Sequence, residues 1–150
     1  LLLSACGKKE ETAAASAGAA SASAVATLEF TANDSMKFNQ TRVEVRAGQQ
    51  VKVILTNIGS MPKAAMGHNW VLLQKGSDGK AFADAAVGAA ATDYLPVALQ
   101  AQMIAHTKML GPKQTDEITF TAPTEPGEYP FLCSFPAHYV AGMHGVLVVK

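Results

Sequence analysis

The sequence predicts an all-β domain, a two-layered antiparallel sandwich with a short helical insertion, preceded by a disordered tether. Three observations predict it. From Thr27 onward the chain breaks into short segments in which apolar and polar residues alternate, as half-buried strands require. Turn chemistry falls between several of them, at Asn33-Asp34-Ser35, Ala47-Gly48, Asn57-Ile58-Gly59 and Pro126-Gly127. Once residues 1–26 are set aside, about 120 remain, enough for one domain that buries roughly two thirds of its unfolded surface without disulfide staples. Hydrophobic residues make up 49% of the chain, but Ala concentrated in two stretches inflates that figure, so the core is smaller than it suggests.

Taken in order, residues 1–6, Leu1-Leu2-Leu3-Ser4-Ala5-Cys6, resemble the end of a bacterial lipoprotein signal peptide: an apolar run, small residues, then Cys. The resemblance implies cleavage before Cys6 and lipid on its sulfur and on the new amino terminus. Residues 7–26 begin charged and continue almost entirely in Ala, Ser and Gly, with nothing large enough to pack. They read as a flexible tether whose root-mean-square span is roughly 25 Å. A lipid-anchored domain on this leash, at residues 27–150, would sit on the periplasmic side of a bacterial membrane and serve partners there.

Strands are expected at Thr27 to Ala32, Arg42 to Arg46, Gln50 to Thr56, Asn69 to Gln74, Glu117 to Thr121, Gly127 to Leu132 and Val146 to Lys150. Spacing of this kind suggests antiparallel pairing. Residues 76–105 differ: they are Ala-rich, poor in β-branched residues, and open with Gly76-Ser77-Asp78-Gly79. They read as an insertion carrying a short helix and interrupting the sheet.

Charge and cysteine usage exclude several functions. Twelve basic residues balance twelve acidic ones, which leaves no basic footprint for nucleic acid. The two cysteines, Cys6 and Cys133, lie near opposite ends and form no CxxC pair. Zinc ribbons, thioredoxin-type redox sites and Cys-held iron–sulfur clusters are therefore excluded.

The metal-competent side chains fall in two places. His68 stands in mid-chain, and Cys133-Ser134-Phe135-Pro136-Ala137-His138, followed by Met143, stands before the last predicted strand. Each taken alone has an ordinary explanation: Cys133 as a small buried hydrophobe, His68 as a hydrogen-bonded core residue, His138 on a surface loop, Met143 as packing. The conjunction is what matters. Two imidazoles, a thiolate and a weak axial thioether make the donor set of a blue-copper electron-transfer site. One loop would supply three of the ligands, and His68 would join them from a neighbouring segment.

Residues 27–150 resemble the cupredoxins, azurins and auracyanins in particular. The resemblance is carried by Asn33-Asp34-Ser35-Met36-Lys37-Phe38-Asn39, Met66-Gly67-His68-Asn69-Trp70-Val71, Ile104-Ala105-His106-Thr107-Lys108 and Cys133-Ser134-Phe135-Pro136-Ala137-His138. It implies a Greek-key β-sandwich with one type 1 copper, held strongly by His68, Cys133 and His138 and axially by Met143. It also implies a Gly67 carbonyl on the opposite side of the metal and an Asn69 that ties the two ligand-bearing segments by hydrogen bonds. Three departures stand out. Four residues separate His138 from Met143, as in auracyanins, where azurins have three. The azurin disulfide is missing. Asn57 replaces a His that titrates near the site in many azurins, so that source of pH dependence should be absent.

What the resemblance implies for function is a one-electron carrier. Electrons would pass through His138, the ligand nearest the surface, ringed by an apolar patch of Met61, Ala65, Met66, Phe135, Pro136 and Ala137. Partners would be redox proteins such as c-type cytochromes or copper or haem reductases, met briefly by a monomeric carrier. His106 matches a solvated surface residue, and His144 is a competing ligand candidate. An enzyme is not expected, because copper oxidases and nitrite reductases of this build need more His than the four present, two of them already committed. The alternative is a copper-delivery or storage protein, for which six Met leave some scope.

Overall fold

The computed structural model describes residues 24–150. Cys6 and the expected tether up to residue 23 lie outside the described residues. The eight strands are β1 (Ala26–Ala32), β2 (Arg42–Val45), β3 (Gln50–Asn57), β4 (Val71–Leu73), β5 (Met103–His106), β6 (Thr115–Thr121), β7 (Gly127–Leu132) and β8 (His144–Val149). They form a three-stranded sheet in the order β1-β3-β6 and a five-stranded sheet in the order β2-β8-β7-β4-β5. The all-β sandwich is borne out.

Pairing is mixed rather than wholly antiparallel. β1 runs parallel to β3, from Ala26 opposite Val51 to Ala32 opposite Asn57, and β2 runs parallel to β8. The remaining pairs are antiparallel. Alternation could not have distinguished the two, because a half-buried strand alternates whichever way its neighbour runs. Consecutive strands β1 and β2 enter different sheets, and each lies beside a strand distant in sequence.

The alternation itself is realised closely. In β3 every second residue, Val51, Val53, Leu55 and Asn57, is buried. Val51, Val53 and Leu55 share one core with an aromatic cluster in which the Phe131 ring lies 5.2 Å from Phe30 and 5.5 Å from Trp70. Phe38 closes on Phe30 at 5.7 Å, edge to face, an arrangement that the ring quadrupoles favour.

Residues 76–105 contain the expected helix, α2 (Gly79–Ala86), followed by two short 3-10 turns. Asp78 caps α2, its carboxylate accepting from the amides of Lys80 at 2.9 Å and Ala81 at 3.1 Å. Phe82 on α2 joins Val71, Leu73 and Leu132 in a second, smaller core on the outer face of the five-stranded sheet. That cover buries β4 on both sides, so Val71, Leu72 and Leu73 form an apolar run without alternation.

The stretch ends as a strand, which the sequence reading had placed within the insertion. β5 pairs with β4 at the sheet edge, and its residues Met103 to Ala105 are all half-buried, which removes the alternating signature.

Candidate metal centre

The sandwich brings together three side chains separated by up to seventy positions. His68, Cys133 and His138 each offer one donor atom, and these atoms all lie within 4.8 Å of one another. All three residues are buried. Cys133 Sγ stands 3.4 Å from His138 Nδ1, and the two imidazole centroids are 4.8 Å apart.

Backbone bonds hold the three in place. His68 follows α1 (Lys63–Met66), a single turn absent from the sequence expectations, and it bridges Leu110: its N–H donates to the Leu110 carbonyl at 3.1 Å and its carbonyl accepts from Leu110 N–H at 2.7 Å. Ahead of α1, the Asp34 carboxylate accepts from the Ser60 amide at 2.9 Å and the Ser60 hydroxyl at 2.8 Å, fixing the approach to the helix. Those bonds hold the Asp34 carboxyl below its ordinary range, the Ser60 amide contributing most.

Gly67 has no room for a side chain. A Cβ there would stand 2.8 Å from the Lys63 carbonyl and 3.0 Å from Met109 Sδ.

Cys133 lies just past the end of β7, and its N–H donates to the Met143 carbonyl at 3.0 Å. His138 N–H donates to Phe135 at 3.1 Å, and Met143 N–H donates to His138 at 2.9 Å. The four residues between His138 and Met143 fold into a turn, with Ala141 N–H bonded to the Ala137 carbonyl at 3.1 Å and Gly142 N–H to Tyr139 at 2.8 Å. Lys37 pins this turn by donating to the Ala141 carbonyl. Met143 is fully buried at the loop's end.

The two segments are joined as expected. Asn69 Nδ2 donates to Ser134 Oγ at 2.8 Å, and Ser134 N–H donates to Asn69 Oδ1 at 2.8 Å.

The donor set fits a soft metal ion. Both ring nitrogens of His68 are buried without a hydrogen-bond partner, a costly state that a coordinated cation would relieve. Burial pulls His68 below the usual imidazole range against the nearby Asp34 charge. It pulls His138 down to about 4, helped by the charge that His68 would carry, so both rings are neutral and able to coordinate at pH 7. Burial pushes the Cys133 thiol up to about 12, opposed by the backbone N–H groups of Asn69 and Phe135, which favour the thiolate. A bound cation would supply the compensation that favours the thiolate at that sulfur.

The other histidines stand apart from this cluster. His144 is exposed, with its ring stacked on Tyr139 at 4.3 Å, and His106 is exposed with Nδ1 3.1 Å from the Thr107 carbonyl. Asn57 is buried, and its side-chain oxygen accepts from the Gly59 amide at 2.9 Å.

His138 is buried like the other two, at 1% exposure against 0% for His68 and Cys133, with the Phe135 ring 4.7 Å from its own. Of the expected apolar patch, Met61 at 40% exposure, Ala65 and Ala137 reach solvent, while Met66, Phe135 and Pro136 are half-buried. The sequence reading missed one neighbour, Tyr94, whose ring meets Phe135 edge-on at 5.0 Å. Its one available signal was an aromatic residue standing in an Ala-rich stretch.

A β-sandwich with a buried Cys and two His at one end is the architecture of a blue-copper domain, and sequence comparison agrees. The family described as copper binding proteins, plastocyanin/azurin family, matches residues 24–150, and the chain belongs to that family. It is 38% identical over 137 residues to an azurin of Achromobacter denitrificans, covering 89% of each chain. It is 39% identical over 108 residues to outer membrane protein H.8 of Neisseria meningitidis, covering 71% of this chain and 58% of that one. Among solved structures, an auracyanin of Roseiflexus castenholzii superposes with a TM-score of 0.74 at 36% identity, over 83% of this chain and 96% of that one. Azurins and auracyanins are copper-binding electron carriers, not enzymes.

Proposed function

We propose that this chain is a type 1 copper one-electron carrier in which His68, Cys133 and His138 would hold the metal strongly, with the Met143 thioether and the Gly67 carbonyl as weaker contacts. Lipid on Cys6 and the tether of residues 7–26 hold the domain of residues 27–150 at the periplasmic side of a bacterial membrane. Its partners are redox proteins such as c-type cytochromes or copper or haem reductases, and the carrier is a monomer. The observation that carries the reading is the convergence of three buried donor atoms within 4.8 Å, two of them on rings kept neutral by burial. The membrane attachment is supported by the leader's resemblance to a lipoprotein signal and by the relative named as an outer membrane protein. No helix among the described residues is long and apolar enough to cross a membrane.

Copper, when bound, supplies a one-electron couple. The residues do the rest. Cys133 would hold the metal as thiolate, its charge favoured by the amides of Asn69 and Phe135. Burial of the two rings would exclude water from the site. The apolar surface over His138 suits brief docking with small contact area.

Burial of all three ligands favours retention of the metal over delivery, since a delivery site exchanges its metal and must be reached. The test is to add Cu(II) to the purified domain and record visible and EPR spectra beside Cys133→Ser. An intense visible thiolate band in the wild type, lost in the variant, is the expected result. A colourless wild type ends the reading, and rapid loss of copper to a chelator transfers it to delivery or storage. The anchor is tested by Cys6→Ala, which should release the domain from the membrane fraction.

A further inference from the structure

The insertion places Tyr94 at the edge of the copper-binding loop at the expense of backbone strain. Asp93 and Tyr94 both adopt left-handed conformations, with φ of 51° and 61°, which non-glycine residues avoid. Local bonds sustain the turn: Tyr94 N–H donates to the Ala89 carbonyl at 2.9 Å, and the Thr92 hydroxyl donates to Leu95 at 2.7 Å. Asp93 is then tied across to α1 by Lys63 at 3.3 Å. The consequence is a short stack of rings, Tyr94 on Phe135 at 5.0 Å and Phe135 on His138 at 4.7 Å.

We propose that Tyr94 is a positioning residue for the metal centre: it wedges Phe135 against His138, and the insertion thereby roofs the ligand against solvent. This rests on the copper-carrier reading. Phe135 is half-buried and sits on a loop, and among the described residues the rings that pack against it are those of Tyr94 and His138. Beside the stack lies a cavity of about 340 Å³, bordered by Lys63, Ala64, Ala90, Asp93, Tyr94, Met109 and Phe135. It is the space into which Phe135 can swing once Tyr94 is shortened. With the roof open, water reaches His138 and the metal enters and leaves more readily.

The experiment follows Cu(II) uptake by the metal-free protein, read as growth of the visible thiolate band, in Tyr94→Ala, Tyr94→Leu and Tyr94→Phe. The worth of one aromatic pair converts to about two- to tenfold in the population of an opened roof. Uptake should therefore quicken about two- to tenfold in Tyr94→Ala and Tyr94→Leu and stay at the wild-type rate in Tyr94→Phe, which keeps the ring. In the loaded protein in D2O, pulsed EPR should show exchangeable deuterons near the copper in Tyr94→Ala and none added in Tyr94→Phe. Val97→Ala, at an exposed position of the insertion outside the Tyr94–Phe135–His138 stack, is the control and should leave uptake unchanged. The proposal is overturned by wild-type uptake in both Tyr94→Ala and Tyr94→Leu, by Tyr94→Phe moving as far as Tyr94→Ala, or by Val97→Ala accelerating uptake equally. A wild type that never colours would instead fail the underlying copper reading.

Discussion

Replacing Asn69 by Ala cuts the fastening between the two segments that carry the proposed ligands. Two bonds of 2.8 Å disappear, and both residues are fully buried, so solvent cannot readily take over the freed groups. Ser134 N–H, a buried main-chain donor, loses its acceptor, at a cost of about 1–3 kcal/mol, and the second bond adds about 1 kcal/mol. The sum, about 3 kcal/mol, corresponds in a domain of this size to a fall of about 12 °C in Tm. Ser134→Ala removes only the hydroxyl and leaves the main-chain bond intact, so its cost should be near 1 kcal/mol. The double variant should be little worse than Asn69→Ala alone, because the two changes remove a shared interaction. Thermal unfolding of the metal-free proteins by circular dichroism measures all three, and competition with a chelator should show copper held about 10–100-fold more weakly in Asn69→Ala. A Tm shift below about 3 °C, or fully additive single variants, would refute the view that this pair fastens the site.

Three further outcomes follow from the same geometry. His138 and His68 have lowered pKa values in the folded state, so the unfolded chain binds more protons as pH falls below 6.5, and the metal-free protein should lose stability progressively down to about 4. Denaturant midpoints across that window check it, and a flat profile would contradict the burial of the two rings. Cys133, raised from 9.0 to about 12, gives the opposite limb: above pH 9 the unfolded chain releases its thiol proton first, so stability falls again, and Cys133→Ser should remove that alkaline limb. Gly67→Ala forces a Cβ to 2.8 Å from the Lys63 carbonyl, a backbone atom that cannot rotate aside. We expect about 1–3 kcal/mol of destabilisation and a displaced visible band on copper binding, and an unchanged spectrum would show that α1 can yield without moving His68.

What the sequence disclosed depended on whether a residue's signal was local. β1, β3 and β6 were visible because one face of each is more deeply covered than the other, which writes period two into the chain. β5 was hidden for the reverse reason, since Met103, Ile104 and Ala105 are all partly covered and carry no alternation. The parallel pairing of β1 with β3 was invisible because direction belongs to the partner, not the strand. At the site, the Cys133 to Met143 cluster was legible because its spacing sits within one loop. His68 was legible only through ligand chemistry and family resemblance, since nothing in a single strand states that it meets residues more than sixty positions away. Tyr94 and the covering of His138 depend on how the insertion folds back over the loop, and no periodicity records that.

The pocket divides its tasks between backbone and side chains. Every residue of the cluster has its main chain fixed: His68 to Leu110, Cys133 to Met143, and His138 to Phe135 and Met143. The side chains are what remain unsatisfied, both nitrogens of His68 unpartnered and the Cys133 thiol buried where its ionised form is disfavoured. A site whose scaffold is satisfied and whose donors are not is poised to take a cation without rearranging, since the polar groups the metal would engage are the ones the fold leaves unengaged. The same division limits movement once the metal is bound. Backbone bonds and the Asn69–Ser134 link fix the segments that carry the donors, so the donors would move little between two valence states of a bound metal. For a carrier, that immobility keeps the reorganisation accompanying each transfer small, and it originates in hydrogen bonds that involve none of the donor atoms.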